Sequence, residues 1–147
     1  MCRRVGTPIS TKRADYMTPN ETTSGKIVCL VDDDAAVLKS TGRLLASAGL
    51  GVRSFTDPDS FLKQIKTLSV PLVILDIWME KITGLEVQAK LAKLSPRTRV
   101  IVMTGRKDPG AKQTAMEFGA TAFFIKPFDD EEFLRAVRQA LSSRAKQ

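Results

Sequence analysis

From Lys26 onward the chain alternates five times between a short apolar run and a segment with helical periodicity, and few folds accommodate that pattern. The run Ile27-Val28-Cys29-Leu30-Val31 is β-branched, apolar and of strand length. In Ala35–Ala48, residues Val37, Leu38, Thr41, Leu44, Leu45 and Ala48 share one helical face, with Gly49 as the stop. Val52–Phe55 reads as a second strand. Asp57-Pro58 places an N-cap before a proline at the first helical position, opening a helix to about Thr67. Leu72–Leu75 is a third strand, and Gly84–Leu94 a helix closed by Ser95-Pro96. Val100–Met103 is a fourth strand, Pro109–Phe118 a helix ended by Gly119, and Thr121–Ile125 a fifth strand. Asp129 and Glu132 are spaced as a capping box for a last helix, whose core stripe is Phe133, Leu134, Val137, Ala140 and Leu141.

Short connections between alternating strands and helices imply an α/β fold: a doubly wound parallel sheet with right-handed crossovers and helices on both faces. The continuous apolar character of Leu72–Leu75 fits a strand covered on both sides. For five strands the order 2-1-3-4-5 puts the ligand crevice outside the carboxyl ends of strands 1 and 3. The residues that follow each strand are therefore the ones to inspect for chemistry.

Composition removes several function classes. The 147 residues suit one domain, against a usual span of roughly 100–200 residues per domain. There is no histidine, so Ser-His-Asp and Cys-His catalysis, His-ligated zinc and a phosphohistidine role are all excluded. Cys2 and Cys29 cannot form a disulfide framework, and with no membrane-length apolar run a cytoplasmic location without membrane association is expected. The net charge of +7 is scattered, which fits a solvated basic surface better than a nucleic-acid interface. No helix-turn-helix or aromatic-basic stripe is evident, so no direct nucleic-acid partner is expected. Residues 1–25, rich in Thr, Ser, Pro and Gly without apolar periodicity, are expected to form a flexible tail, leaving 26–147 as the domain.

The strand ends converge on one chemistry. Strand 1 ends in Asp32-Asp33-Asp34, strand 3 in Asp76, strand 4 in Thr104 and strand 5 in Lys126-Pro127. Taken singly, each has an ordinary structural reading as a cap, a strand residue or a solvated cation. Together they would crowd several carboxylates at one site, a repulsion that a divalent cation removes. Oxygen ligands without histidine or cysteine favour Mg²⁺ or Mn²⁺. An aspartate can act as a nucleophile towards phosphorus, with the metal, Lys126 and Thr104 sharing the charge on the phosphoryl oxygens. Neither GxxxxGK[ST] nor GxGxxG follows strand 1, so no nucleotide-binding motif supports turnover of a nucleotide.

Residues 26–141 resemble the receiver domain of bacterial two-component response regulators, a flavodoxin-like (βα)5 fold. The matching motifs are Val31-Asp32-Asp33-Asp34, Leu75-Asp76 followed by Gly84, Met103-Thr104-Gly105 and Lys126-Pro127-Phe128. The resemblance implies Asp76 as phosphoacceptor, Asp33 and Asp76 as metal carboxylates, Asp32 as a ligand through water and Trp78 as a ligand through its backbone carbonyl. It also implies that Thr104 and Lys126 bind the phosphoryl oxygens, and that the Lys126-Pro127 bond is cis. Asp34 matches no catalytic position and reads as a helix cap. Three departures stand out: Glu80 replaces the family's usual proline, Trp78 is bulky for its position, and the aromatic switch residue is Phe123, which lacks a phenolic hydroxyl.

The function so implied is a two-component phosphorelay response regulator. It would accept a phosphoryl group from a sensor histidine kinase or phosphotransfer protein and signal to a downstream protein effector or by self-dimerisation. It would be no enzyme beyond catalysing its own phosphorylation and dephosphorylation. Thr104 and Phe123 would couple the site to the face carrying Ala115, Phe118 and Arg138. Alternatives are a receiver fragment of a longer helix-turn-helix transcription factor and, in a different class, an aspartate-based phosphatase.

Overall fold

The computed structural model describes residues 26–142. The expected tail over residues 1–25, and residues 143–147, lie outside the described residues. Five parallel strands, β1 (Ile27–Val31), β2 (Gly51–Phe55), β3 (Leu72–Asp76), β4 (Arg99–Thr104) and β5 (Ala122–Ile125), form one sheet in the order β2-β1-β3-β4-β5. This is the order read from the alternation. Five helices connect and close them: α1 (Ala35–Ser47), α2 (Pro58–Ile65), α3 (Gly84–Leu94), α4 (Pro109–Glu117) and α5 (Asp130–Ser142).

The central strands bury both faces, and the period of two sorts their side chains. Cys29, Val31, Val73, Leu75, Val100 and Val102 point to one side, where Phe61, Leu62 and Ile65 of α2, Val87 and Leu91 of α3 and Ala111 and Ala115 of α4 cover them. Val28, Leu30, Leu72, Ile74, Ile101 and Met103 point to the other, under Leu38 and Leu45 of α1 and Phe133, Val137 and Leu141 of α5. Each fully buried side chain of this size contributes about 1.5–3 kcal/mol.

Local chemistry starts and stops the helices. The Asp34 carboxylate accepts from the Ala36 and Val37 N–H groups, Asp57 from Asp59, and Asp108 from Ala111, with Pro58 and Pro109 at the first helical positions of α2 and α4. Asp34 is thus the cap expected of it. Asp129 accepts from the Glu132 N–H at 2.9 Å at the start of α5. The chain leaves α1 and α4 at Gly49 (φ 85°) and Gly119 (φ 100°), in the left-handed region that glycine enters without a Cβ clash. Among the described residues no helix is long and apolar enough to cross a membrane.

Boundaries differ from the sequence reading by a residue or two. β4 runs from Arg99 to Thr104 and β3 includes Asp76, so two of the candidate site residues end strands and do not merely follow them. α2 ends at Ile65, short of Thr67, and the chain leaves it through a turn in which the Thr67 and Leu68 N–H groups both donate to the Gln64 carbonyl.

Candidate functional site

Three strands deliver carboxylates and an amine to one place. Asp32 follows β1, Asp76 ends β3 and Lys126 follows β5. The Lys126 Nζ lies 3.3 Å from the Asp32 Oδ2 and 3.3 Å from the Asp76 Oδ1, so one ammonium bridges two strands' ends. Backbone contacts hold this arrangement. The Asp32 N–H donates to the Phe55 carbonyl, and the Lys126 N–H donates to the Thr104 carbonyl at 2.7 Å. The Lys126-Pro127 bond is cis, as expected.

Asp32, Asp33 and Asp76 each offer a carboxylate oxygen, all within 4.8 Å of one another. Asp32 and Asp76 are buried and Asp33 is exposed. The Asp32 Oδ1 accepts from the Asp34 N–H at 2.9 Å, and the Asp33 Oδ2 accepts from the Glu80 N–H at 3.0 Å. The second of these ties the loop after β3 to the end of β1. Nothing in the sequence announces it, where Glu80 stands out as the replacement for the family's usual proline. A proline there would have no N–H to give.

Electrostatics set the charge balance of this cluster. Burial, and then the neighbouring Asp32 carboxylate, push the Asp76 carboxyl up to about 6, against the opposing pull of Lys126. Burial likewise raises Asp32, partly offset by the Asp34 N–H and by Lys126. Burial would lower Lys126, but Asp32 and Asp76 outweigh it and hold the amine above its usual value. One ammonium therefore faces two carboxylates, with Asp33 a third acid beside them. The donor set is oxygen only, negative in excess and partly open to solvent through Asp33, which fits a hard divalent cation.

Gly84 is explained by a close approach. A Cβ on Gly84 would lie 2.2 Å from the Asp76 carbonyl oxygen, and the Gly84 N–H donates to the Ile77 carbonyl at 2.8 Å. Only glycine lets α3 start directly against the strand end that carries Asp76. Thr83 caps that helix in a full capping box with Glu86, a pair whose Thr-x-x-Glu spacing is the sequence signal for it.

Thr104 is fully buried at the end of β4, and its hydroxyl is engaged by Arg106: it accepts from the Arg106 N–H at 3.1 Å and donates to the Arg106 carbonyl at 3.3 Å. Phe123 on β5 is half-buried and packs on the α2-α3-α4 side of the sheet. Trp78 packs against the same cluster, with the Arg106 guanidinium 4.7 Å from its ring centroid. That stacking joins the loops after β3 and β4, and no spacing in the sequence announced it.

A family model described as a response regulator receiver domain matches residues 28–138. The response regulator protein TmoT of Ectopseudomonas mendocina is 39% identical over 115 residues, which cover 78% of this chain and 52% of that protein. The transcriptional regulatory protein FixJ of Azorhizobium caulinodans is 39% identical over 120 residues, covering 82% of this chain and 57% of that one. A solved structure, the beryllofluoride-activated NtrC4 receiver domain dimer, is 30% identical and matches with a TM-score of 0.75 over 78% of this chain and 95% of that one. The chain spans about half the length of the curated relatives it matches.

Proposed function

This chain belongs to the response regulator receiver domain family, and on that premise we propose that Asp76 is its phosphoacceptor, fed by a histidine kinase or a phosphotransfer protein. Aspartate phosphorylation and Mg²⁺ binding are typical of the family, and response regulators work with histidine kinases. The observation that carries the assignment is the Lys126 ammonium, 3.3 Å from both the Asp76 and the Asp32 carboxylates, at a point where Asp33 completes an oxygen cluster.

The chain's residues divide the work. An Asp76 carboxylate oxygen attacks phosphorus in line with the donor's leaving nitrogen. The P–O bond forms as the P–N bond breaks, and the electron pair leaves with the imidazole. Lys126 is already against Asp76 and stays with the phosphoryl oxygens as charge builds there. The Thr104 hydroxyl, once released from Arg106, supplies a further donor. Asp33 and Asp76, with Asp32 through water and the Trp78 backbone carbonyl, would hold Mg²⁺ or Mn²⁺. The cation supplies the positive charge that lets the carboxylates and an incoming phosphoryl group share one crevice. The domain so read is no classical enzyme: it acts only on its own Asp76, in phosphorylation and dephosphorylation.

The donor's approach has a marked route. Val37 and Leu44 of α1, with Pro127 and Phe128, line a groove of about 470 Å³ that includes Lys126. A partner helix seated there could bring a phosphohistidine to Asp76. Output goes to an effector protein or a second copy, through Thr104 and Phe123. Drawn towards a phosphoryl group, Thr104 vacates space that Phe123 fills, remodelling the face of α4, β5 and α5. A second reading keeps the same site within a longer DNA-binding regulator; it is favoured by the half-length coverage of relatives, one of them a transcriptional regulatory protein.

Incubation with acetyl phosphate and Mg²⁺ tests the assignment. Intact mass should show one added phosphoryl group on the wild type and none on Asp76→Ala. Equal labelling of both proteins overturns it, and rapid turnover of unrelated phosphomonoesters would support the phosphatase class instead.

A further inference from the structure

On the α2-α3 side of the sheet an open groove of about 440 Å³ is lined by both helices. Leu62, Lys63 and Lys66 come from α2 and its C-cap, and Lys90, Lys93 and Leu94 from α3. The helical period explains the arrangement. Leu62, Lys63 and Lys66 recur at i, i+1 and i+4, and Lys90, Lys93 and Leu94 at i, i+3 and i+4, so each helix turns one mixed stripe towards the groove. Helices of a right-handed crossover run against their strands. Lys66 and Leu94 therefore lie near the amino ends of β3 and β4, at the other end of the domain from Asp76.

Each wall carries two lysines and one leucine, Leu62 being largely buried in the core; Asp59 is the one acid in the lining. Leu94 is 39% exposed, a large apolar side chain left open to solvent. Among the described residues the four groove lysines pair with no carboxylate, unlike Lys81 with Asp57 and Lys126 with Asp32 and Asp76. A lysine in the last turn of a helix offsets the dipole of that helix. That accounts for one lysine per helix, but not for two facing pairs across a shared apolar floor.

We propose that this groove is a docking site for an acidic amphipathic helix of a partner protein, its apolar stripe on the exposed Leu94 and the aliphatic stems of the lysines, above the largely buried Leu62, and its carboxylates against the ammonium groups of both walls. The occupant follows from the complementarity: an apolar floor between two basic walls matches an apolar stripe flanked by acids on both sides. A nucleic-acid strand is a poorer match, because no aromatic or arginine side chain lines the groove to stack bases. A second copy is a poorer match too. The acidic run Asp129–Glu132 is followed by Phe133, which is fully buried and cannot supply an apolar stripe.

A fluorescein-labelled peptide helix with leucines at i, i+4 and i+7 and flanking glutamates, titrated into the full 147-residue chain, tests this. Anisotropy should report saturable binding that falls at least about tenfold in Lys63→Glu/Lys90→Glu and several-fold in the gentler Lys63→Gln/Lys90→Gln. Asp76→Asn should bind as wild type does, so failure of the phosphoacceptor assignment would leave this result standing. The proposal is overturned by undiminished binding to both lysine double variants. It is also overturned if a leucine-free glutamate peptide binds equally well, which would mean net charge alone. Competition by a short DNA duplex at equal charge concentration would assign the groove to nucleic acid. Self-association abolished by the same lysine changes would assign it to a second copy.

Discussion

Asp76 pays for its position in the absence of a cation, and the sign of that cost is testable. Its carboxyl titrates near 6 in the fold, above the ordinary carboxylate value of 3.8. A raised folded-state value means that the charged form destabilises the fold. The penalty is complete above about pH 6 and disappears as pH falls towards 4. Asp32, also raised, adds in the same direction. Metal-free protein should therefore melt higher at pH 5 than at pH 7.5. Asp76→Asn should be more stable than wild type at pH 7.5 by about 1–3 kcal/mol, with the gap closing by pH 4. Thermal melts in EDTA check this, and a wild type that loses stability steadily from pH 7.5 to 5 would contradict it. Glu80 provides a second test. Its N–H donates to Asp33, so Glu80→Ala should keep Mg²⁺ affinity within about twofold. Glu80→Pro, which restores the family's usual residue but removes the donor, should weaken it about fivefold, roughly 1 kcal/mol. Mg²⁺ titrations followed by the fluorescence of Trp78, the chain's one tryptophan, read both.

At the scale of elements, what was legible was what depends on spacing along the chain. Both-face burial of β3 showed in the unbroken run Leu72–Leu75, and the caps Asp34 and Asp57 showed in their positions before helical stripes. The stop at Gly49 was legible because its φ of 85° is one that glycine takes readily. What stayed hidden depends on two segments meeting. The Trp78–Arg106 stacking and the Glu80–Asp33 bond each join loops that no periodicity relates. Gly84 lies between these cases: the motif pointed to it, but the reason is the Asp76 carbonyl 2.2 Å from where a Cβ would sit. Gly84→Ala should therefore cost about 2–4 kcal/mol in denaturant unfolding and weaken Mg²⁺ binding, because β3 and α3 must separate. A change within 0.5 kcal/mol, the range of an ordinary surface substitution, would show that the contact relaxes freely.

Over the whole molecule, two layers of helices hold a sheet whose carboxyl edge gathers Asp32, Asp33, Asp76, Thr104 and Lys126. A phosphoryl group can shift this molecule only towards a conformer that binds it better. Thr104 is held by Arg106 in the structure, and on the proposed reading it is the group whose partner changes. Beryllofluoride with Mg²⁺ should then move NMR resonances of Ala115, Phe118, Phe123 and Arg138, and Thr104→Ala should lose most of that response while still binding the ligand. Changes confined to the loops around Asp76, or a Thr104→Ala response equal to wild type, would break the coupling. The central claim is narrower and can be met directly. After incubation with acetyl phosphate and Mg²⁺, borohydride reduction converts an aspartyl phosphate to homoserine, and peptide mass mapping then locates it. Homoserine is expected at position 76 alone; homoserine at Asp32 or Asp33, with Asp76 intact, would overturn the assignment.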